Sequence, residues 1–346
     1  MIPDYRNILI VRTDRIGDVV LSTPTIAAVR ANFPNARITV LISSSTVDLM
    51  EGNPNIDAIM VDDRGKAHKG VFKFWSLVGE IRQKNFDAAI ILHTKRRTNL
   101  LCFLAGIKNR IGYRDKNYGF LLTQGFADDR HLGQKHEIHY SLDLLKSMGL
   151  RVDEPKSFLP SQPSAENWMR DWLKENNIDR ERLVAIHPSA SDPTRCWPLE
   201  SFAKLIDELV GSFGCRVVIF GAGNTVDLAR ELKSLCVHPF FDLTGQTSIA
   251  QTVSLLRQSR LLISNDSGPV HIGAAAGIFV IAIFLRNQPG INPERWKPFG
   301  PKGFVIVNKH QEVIRVDGSG RIISGARDAI KPEEVARLAQ DLLKRP

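Results

Sequence analysis

Three stretches of the chain combine residue types at a spacing that could do chemistry. The first is Arg12-Thr13-Asp14-Arg15-Ile16-Gly17-Asp18, directly after the apolar run Asn7–Arg12. A glycine lets a ligand approach the backbone closely, and Asp18 is a carboxylate at a helix start that could take a proton from a hydroxyl. The competing reading is that Asp18 only stabilises the helix N-terminus. The second stretch is Asn265-Asp266-Ser267-Gly268-Pro269-Val270-His271, followed by the small residues Gly273 to Ala276. A strand ending in a carboxylate, a Ser-Gly-Pro turn and a helix with a histidine in its first turn could present backbone N–H groups to a diphosphate. Read plainly, Asp266 is a cap and His271 a core histidine. The third, His187 to Pro198, is a polar loop carrying Ser189 and Arg195, suited to a phosphate or a ribose. Trp197-Pro198 taken alone signals only helix entry.

Two weaker patterns stand beside these. Gly221-Ala222-Gly223 follows a strand-like run and resembles the start of a dinucleotide turn, with Val226 where the third glycine would stand and Asp242 where a ribose-binding acid would. A nicotinamide-dependent dehydrogenase is therefore one alternative, and a non-catalytic binding protein for phosphorylated glycans is another. The basic run Lys95-Arg96-Arg97, with Lys108, Arg110, Arg114 and Lys116 downstream, follows a strand ending at His93. It is expected to face the same crevice as Asp18 and to receive an anionic acceptor, although a charge run is usually a solvated face. Aromatic interleaving and nucleic-acid motifs are missing, so no nucleic-acid partner is expected. Clustered metal ligands with usable spacing are missing too, so no metal site is expected.

The elements that must position these residues are legible as periodicity. Asn7–Arg12, the runs 36–43 and 57–62, and Asp87–His93 read as parallel strands buried on both faces, with helical patterns near 19–33, 46–51 and 71–84 between them. The series restarts with strands at 183–188, 215–221, 260–265 and 279–284, and helices near 199–212, 226–236, 249–257 and 270–276. Asp153–Pro163 carries three prolines and is the best linker, with a helix from about 164 to 176 opening the second half. Repeated strand–helix alternation implies α/β domains with doubly wound parallel sheets, and ligands at the carboxyl ends of the strands.

At roughly 150 residues per domain, a chain of 346 residues suggests two. Its 43% hydrophobic and 24% charged residues fit a globular protein and exclude a mainly disordered one. With 46 Lys and Arg against 37 Asp and Glu, the net charge of +9 favours phosphorylated small molecules, anionic lipid or nucleic acid as partners. Four scattered cysteines argue against a disulfide scaffold and point to a reducing cytoplasm. The longest uncharged stretch, Ser267 to Leu285, is broken by glycines and a proline and reads as a helix followed by a strand. A soluble or peripheral protein is expected.

Taken together the motifs resemble the heptosyltransferases of bacterial lipopolysaccharide core synthesis, glycosyltransferase family 9, from about Asn7 to Gly300. The most specific element is Asp266-Ser267-Gly268-Pro269-x-His271. Supporting it are Ile16-Gly17-Asp18, Phe86-Asp87 through Arg97, Arg110-Ile111-Gly112-Tyr113, the loop ending at Trp197-Pro198, and Leu243-Thr244-Gly245-Gln246-Thr247-Ser248. The resemblance implies a GT-B architecture of two Rossmann-like domains facing a cleft. An acceptor-binding domain would span 1–160 and a nucleotide-sugar domain 161–330, with a final helix, 331–346, packing back on the first domain. It also implies inverting, metal-independent transfer from ADP-heptose, with no cofactor, to an anionic inner-core acceptor (Kdo-lipid A or heptosylated core) by a cytoplasmic enzyme peripheral to the inner membrane. By that resemblance Asp18 is the catalytic base. Ser189, Arg195, Asp227, Thr247, Asp266, Ser267, Gly268 and His271 bind the donor, and Lys95, Arg96 and Arg97 bind the acceptor. Two departures stand out. Arg195 replaces a lysine, and the segment Leu285 to Trp296 is longer than the family's Gly-x-Thr-x-Pro turn.

Overall fold

Runs of Ile, Val, Leu and Ala without alternation form the strands, because helices cover both faces of each sheet. The computed structural model describes residues 4–63, 70–308, 315–316, 322–324 and 330–345. It divides into two units, Met1–Pro160 and Ser161–Pro346.

In the first unit β1 (Asn7–Arg12), β2 (Arg37–Ser43), β3 (Ala58–Asp62), β4 (Ala88–Ile91), β5 (Asn109–Arg114) and β6 (Gln124–Ala127) form one parallel sheet in the order β3-β2-β1-β4-β5-β6. Its helices are α1 (Ile16–Leu21), α2 (Thr23–Asn32), α3 (Val71–Gln83), α4 (Arg96–Leu104) and α5 (Glu137–Ser147). The single helix expected over 19–33 is two. Ser22 Oγ donates to the Asp18 carbonyl at 2.7 Å, and Pro24 in the first turn of α2 cannot continue a helix from before it. The expected helix at 46–51 is a 3-10 segment, Ser44–Leu49. Strands β5 and β6 and helices α4 and α5 escape a reading by apolar runs. β5 carries Asn109, Arg110, Gly112 and Arg114, and becomes a strand through its pairing with β4.

The second unit repeats the plan. Strands β7 (Leu183–His187), β8 (Arg216–Ile219), β9 (Phe241–Asp242), β10 (Leu261–Asn265), β11 (Phe279–Phe284) and β12 (Gly303–Val307) lie parallel in the order β12-β11-β10-β7-β8-β9. Around them run α6 (Pro163–Glu175), α7 (Leu199–Gly211), α8 (Val226–Leu235), α9 (Ile249–Gln258), α10 (Gly268–Ala275) and α11 (Pro293–Trp296). A short antiparallel pair, β13 (Arg315–Val316) and β14 (Ile322–Ser324), precedes α12 (Pro332–Leu343). Helix α12 is part of the second unit. Val335, Ala336, Ala339 and Leu342 are fully buried in the second unit's core with Phe202, Ile206 and Ile281.

Numbered within its own unit, each sheet has the strand order 3-2-1-4-5-6. The winding therefore reverses between β1 and β4 in one and between β7 and β10 in the other. At such a reversal the loops leave in opposite directions and open a crevice at the carboxyl ends of the strands. Three of the four loops there are the three stretches singled out by residue type. The fourth, after β4, begins the basic run.

Candidate active site

At the first reversal the organising group is Arg12, the last residue of β1, which is 2% exposed. Its guanidinium donates to the Leu92 carbonyl at 2.8 Å, to Asp18 Oδ1 at 2.7 Å and to Glu137 Oε1 at 3.2 Å, and its Nε lies 3.0 Å from Asp14 Oδ1. Burial alone would lower the pKa of this guanidinium; Asp14, Asp18 and Glu137 together more than reverse that, so it stays charged. Arg130 shares the Leu92 carbonyl at 3.3 Å, grips Asp128 through two bonds and lies over the Tyr113 ring. Three carboxylates therefore share one guanidinium. Asp18, in the first turn of α1, uses Oδ1 for Arg12; among the described residues Oδ2 has no hydrogen bond. That oxygen is the one on Asp18 that could accept a proton from a hydroxyl.

The basic run behaves differently from expectation. Arg97 donates to both oxygens of the buried Asp62 at 2.9 and 2.8 Å and lies over Phe74, so it ties β3 to α4 instead of facing a ligand. Arg110 is likewise taken up, by the carbonyls of Leu121 and Ile107. Lys95 is the N-cap residue of α4, and Arg96 is exposed over the Tyr118 ring.

At the second reversal the loops after β7 and β10 are bonded to each other. Asn265 donates to the Pro188 carbonyl at 2.7 Å and accepts from the Trp197 backbone at 2.9 Å, which seats the Arg195 turn. Arg195 reaches the Asp266 carbonyl at 3.2 Å, Asp266 Oδ2 at 3.5 Å and Ser191 Oγ at 2.8 Å. Burial pushes the Asp266 carboxyl above its usual range, with Arg195 and Arg286 opposing. Ser267 is the N-cap of α10 but makes no side-chain cap; its hydroxyl pairs with His187 Nδ1 at 3.2 Å and Ser264 at 3.0 Å. The first-turn N–H groups of α10 are thus not capped by Ser267, as an anion site needs. Ser189 bonds His187 Nε2 and Thr225, both at 3.3 Å, and burial holds His187 down at about 4, so it is a neutral spacer. His271 is buried in α10, its ring facing Trp296 at 6.3 Å between centroids.

The remaining candidates scatter. Thr247 lies just before α9, its hydroxyl 3.1 Å from that of Thr252. Asp227 is exposed on α8 and paired with Arg230 at 2.7 Å. The Gly221–Gly223 turn is explained by packing. A Cβ on Gly221 would sit 2.6 Å from Thr225 Oγ1, and Asp242 is committed to Thr244 and Lys233. Sequence reading missed Glu137 and gave no individual role to Arg12, Asp192, His187 or Arg286, although each of these four lies in a stretch it singled out. Of these, Arg12 and His187 carry a signal: each is a polar residue closing an apolar strand. Among the described residues, no three His, Cys, Asp or Glu side chains meet in a way that could hold a metal ion, and no helix is long and apolar enough to cross a membrane.

Two Rossmann-ordered sheets, one with a carboxylate cluster at its reversal and the other with arginine beside a helix start, are the arrangement of a GT-B glycosyltransferase. A family model described as glycosyltransferase family 9 (heptosyltransferase) matches residues 74–318. Lipopolysaccharide heptosyltransferase 3 of Escherichia coli strain K12 is 28% identical over 279 residues, 78% of this chain and 79% of that one. The glycosyl transferase family 9 structure from Veillonella parvula superposes with a TM-score of 0.87 at 23% identity, covering 99% of this chain and 98% of that one. That of E. coli heptosyltransferase WaaC with ADP-2-deoxy-2-fluoro heptose superposes with a TM-score of 0.68 at 16% identity, covering 97% and 99%. The chain belongs to glycosyltransferase family 9 (heptosyltransferase). It is a glycosyltransferase, and the dehydrogenase and non-catalytic alternatives fall away.

Proposed function

We propose that the protein transfers heptose from ADP-heptose to the inner core of lipopolysaccharide with inversion, Asp18 acting as general base. The observation that carries this reading is Asp18 held by Arg12 inside a cluster of three carboxylates, at the sheet reversal where an acceptor would lie. Asp18 accepts the proton of the acceptor hydroxyl as that oxygen attacks the anomeric carbon. Negative charge then grows on the departing ADP. Arg195, Ser267 and the start of α10 at Gly268 stabilise it as preorganised donors. Asp266 holds Arg195, and His271, Ser189 and Thr247 border the donor. Asp227 is the weakest donor assignment, being exposed and paired. On the acceptor side Lys95 and Arg96 receive core phosphates, with Arg97 bracing α4.

The relatives named above supply the substrate class: one is a lipopolysaccharide heptosyltransferase, and another binds an ADP-heptose analogue. Support for a peripheral, cytoplasmic position at the inner leaflet is the surface around α3. Phe72 is 92% exposed and Trp75 51% on α3, which also carries Lys73, and Phe120, 77% exposed, stacks edge-on with Tyr118, over which Arg96 lies. Exposed aromatics among basic residues suit an anionic membrane face, where each basic residue can add about 1 kcal/mol.

The test is mass spectrometry of inner-core glycolipids incubated with enzyme and ADP-heptose, with and without EDTA. Heptose addition in both arms is expected. Loss on chelation, restored by Mg²⁺ or Mn²⁺, would mean that a metal takes part; no transfer to any core acceptor would overturn the substrate assignment.

A further inference from the structure

The segment that departs from the family's turn after β11 contributes a side chain to the donor loops. Arg286, two residues beyond β11, donates to Asp192 Oδ2 at 2.7 Å and lies 3.3 Å from Thr194 Oγ1. Asp192 and Thr194 belong to the same β7 loop as Arg195. Asp192 is fully used: its other oxygen accepts from the Thr194 backbone at 3.0 Å and hydroxyl at 2.7 Å. Two guanidiniums, Arg195 and Arg286, with side chains 15% and 18% exposed, therefore stand on one rim of the second reversal. Burial and then the charge of Arg195 pull the Arg286 pKa down, while Asp192 and Asp266 pull it up. The Nε of each guanidinium is buried without a hydrogen-bond partner among the described residues. Packing like charges this closely costs energy, and an anion with several oxygens between them relieves it.

We propose that Arg286 is a second diphosphate-contacting residue of the donor site, parked on Asp192 and exchanging that carboxylate for a donor phosphate oxygen. This rests on the donor-site reading given above. A diphosphate offers more acceptor oxygens than one guanidinium can meet. Arg195 reaches it from the β7 loop and Arg286 from the β11 loop, so the two approach from adjacent strands. Until a donor phosphate arrives, Asp192 occupies Arg286 and competes with it.

Titration calorimetry with ADP and with AMP, on the full chain, tests it. Arg286→Gln is expected to weaken ADP about ten- to hundredfold, in the range of a lost charge-assisted hydrogen bond, and AMP much less. Arg286→Lys should recover part of the loss as a point charge. Asp192→Asn keeps the acceptor that caps Thr194 and releases Arg286, so ADP should bind more tightly. If Arg286 only braces the β7 loop, both variants weaken ADP alike; that result, or Arg286→Gln within twofold of wild type, overturns the proposal. Arg195→Ala separates the two readings. If it weakens ADP while Arg286→Gln does not, the donor site stands without Arg286. If ADP binding is indifferent to both, the donor site itself is misplaced.

Discussion

A single guanidinium, Arg12, is shared by the proposed base and two further carboxylates, and that sharing is testable. Asp18→Asn keeps the shape and the bond to Arg12 but cannot take a proton. Turnover should fall 10²–10⁴-fold with ADP affinity near wild type. Glu137→Gln removes one of the three carboxylates and leaves Arg12 drawn more fully to Asp18. Steady-state kinetics should show a smaller fall in kcat, about tenfold, again without loss of ADP binding. A Glu137→Gln enzyme as fast as wild type would mean that sharing of Arg12 is only structural. His187 gives a pH prediction. Its folded pKa, about 4, lies below the ordinary histidine value near 6.5, so between these values the unfolded chain binds more protons. Stability should therefore be full above about pH 6.5 and fall as pH drops toward 4, by about 3 kcal/mol from this residue. Chemical denaturation of His187→Gln across that window should show a flatter slope. Below it the loss continues, as Asp57, Asp143, Asp192 and Asp242, all held low in the fold, take up protons.

Among the elements, α10 is the one whose seat most directly bears on the proposed donor site, because its first turn carries Gly268 and its body must lie close to the sheet. Gly273 permits this: a Cβ there would come within 2.8 Å of Leu262 Cδ2 and 3.0 Å of Val280 Cγ2, on β10 and β11. Gly273→Ala should overpack that contact and cost about 1–3 kcal/mol. Thermal unfolding reads the stability loss. A parallel drop in ADP affinity would show that the helix start has moved with it, whereas an unaltered affinity would show that the strain is absorbed elsewhere. Gly273, which opens the small-residue run 273–276 in the sequence, has this packing as its cause.

At the scale of the whole chain, each unit carries its own sheet, and the C-terminal helix belongs to the core of the second. Ala336 is fully buried on α12, among residues of that core. Ala336→Asp would place a carboxylate without a partner there, at a cost of roughly 2 kcal/mol or more. The expected outcome is a lower melting temperature for the transition that ADP shifts, since ligand binding marks the unit holding the donor site. If that transition is untouched, α12 stabilises something other than the second unit.

Much of this architecture is written locally. Apolar runs without alternation, such as Ile8–Val11 and Phe279–Phe284, specify buried strands because burial on both faces is a property of each residue in turn. Ser248 and Gln251 close a capping box at α9 from within one turn of chain. Asp18, Arg195, Asp266 and Ser267 stand out as candidates in the sequence because loops after the strands flanking a sheet reversal are where ligands meet a doubly wound fold, and strand–helix alternation already implies such a fold. Partners of those residues were not legible. Glu137 reaches Arg12, Asp62 takes Arg97, and Arg286 takes Asp192 across sequence separations that no periodicity spans. Whether a cation in a loop faces a ligand or a carboxylate depends on which strands become neighbours. That is fixed by the sheet order, as is the strand character of Asn109–Arg114 and the burial of α12. Sequence determined most of the strands and helices and the candidate loops at the sheet reversals. Only the tertiary structure decided which charges those loops would share.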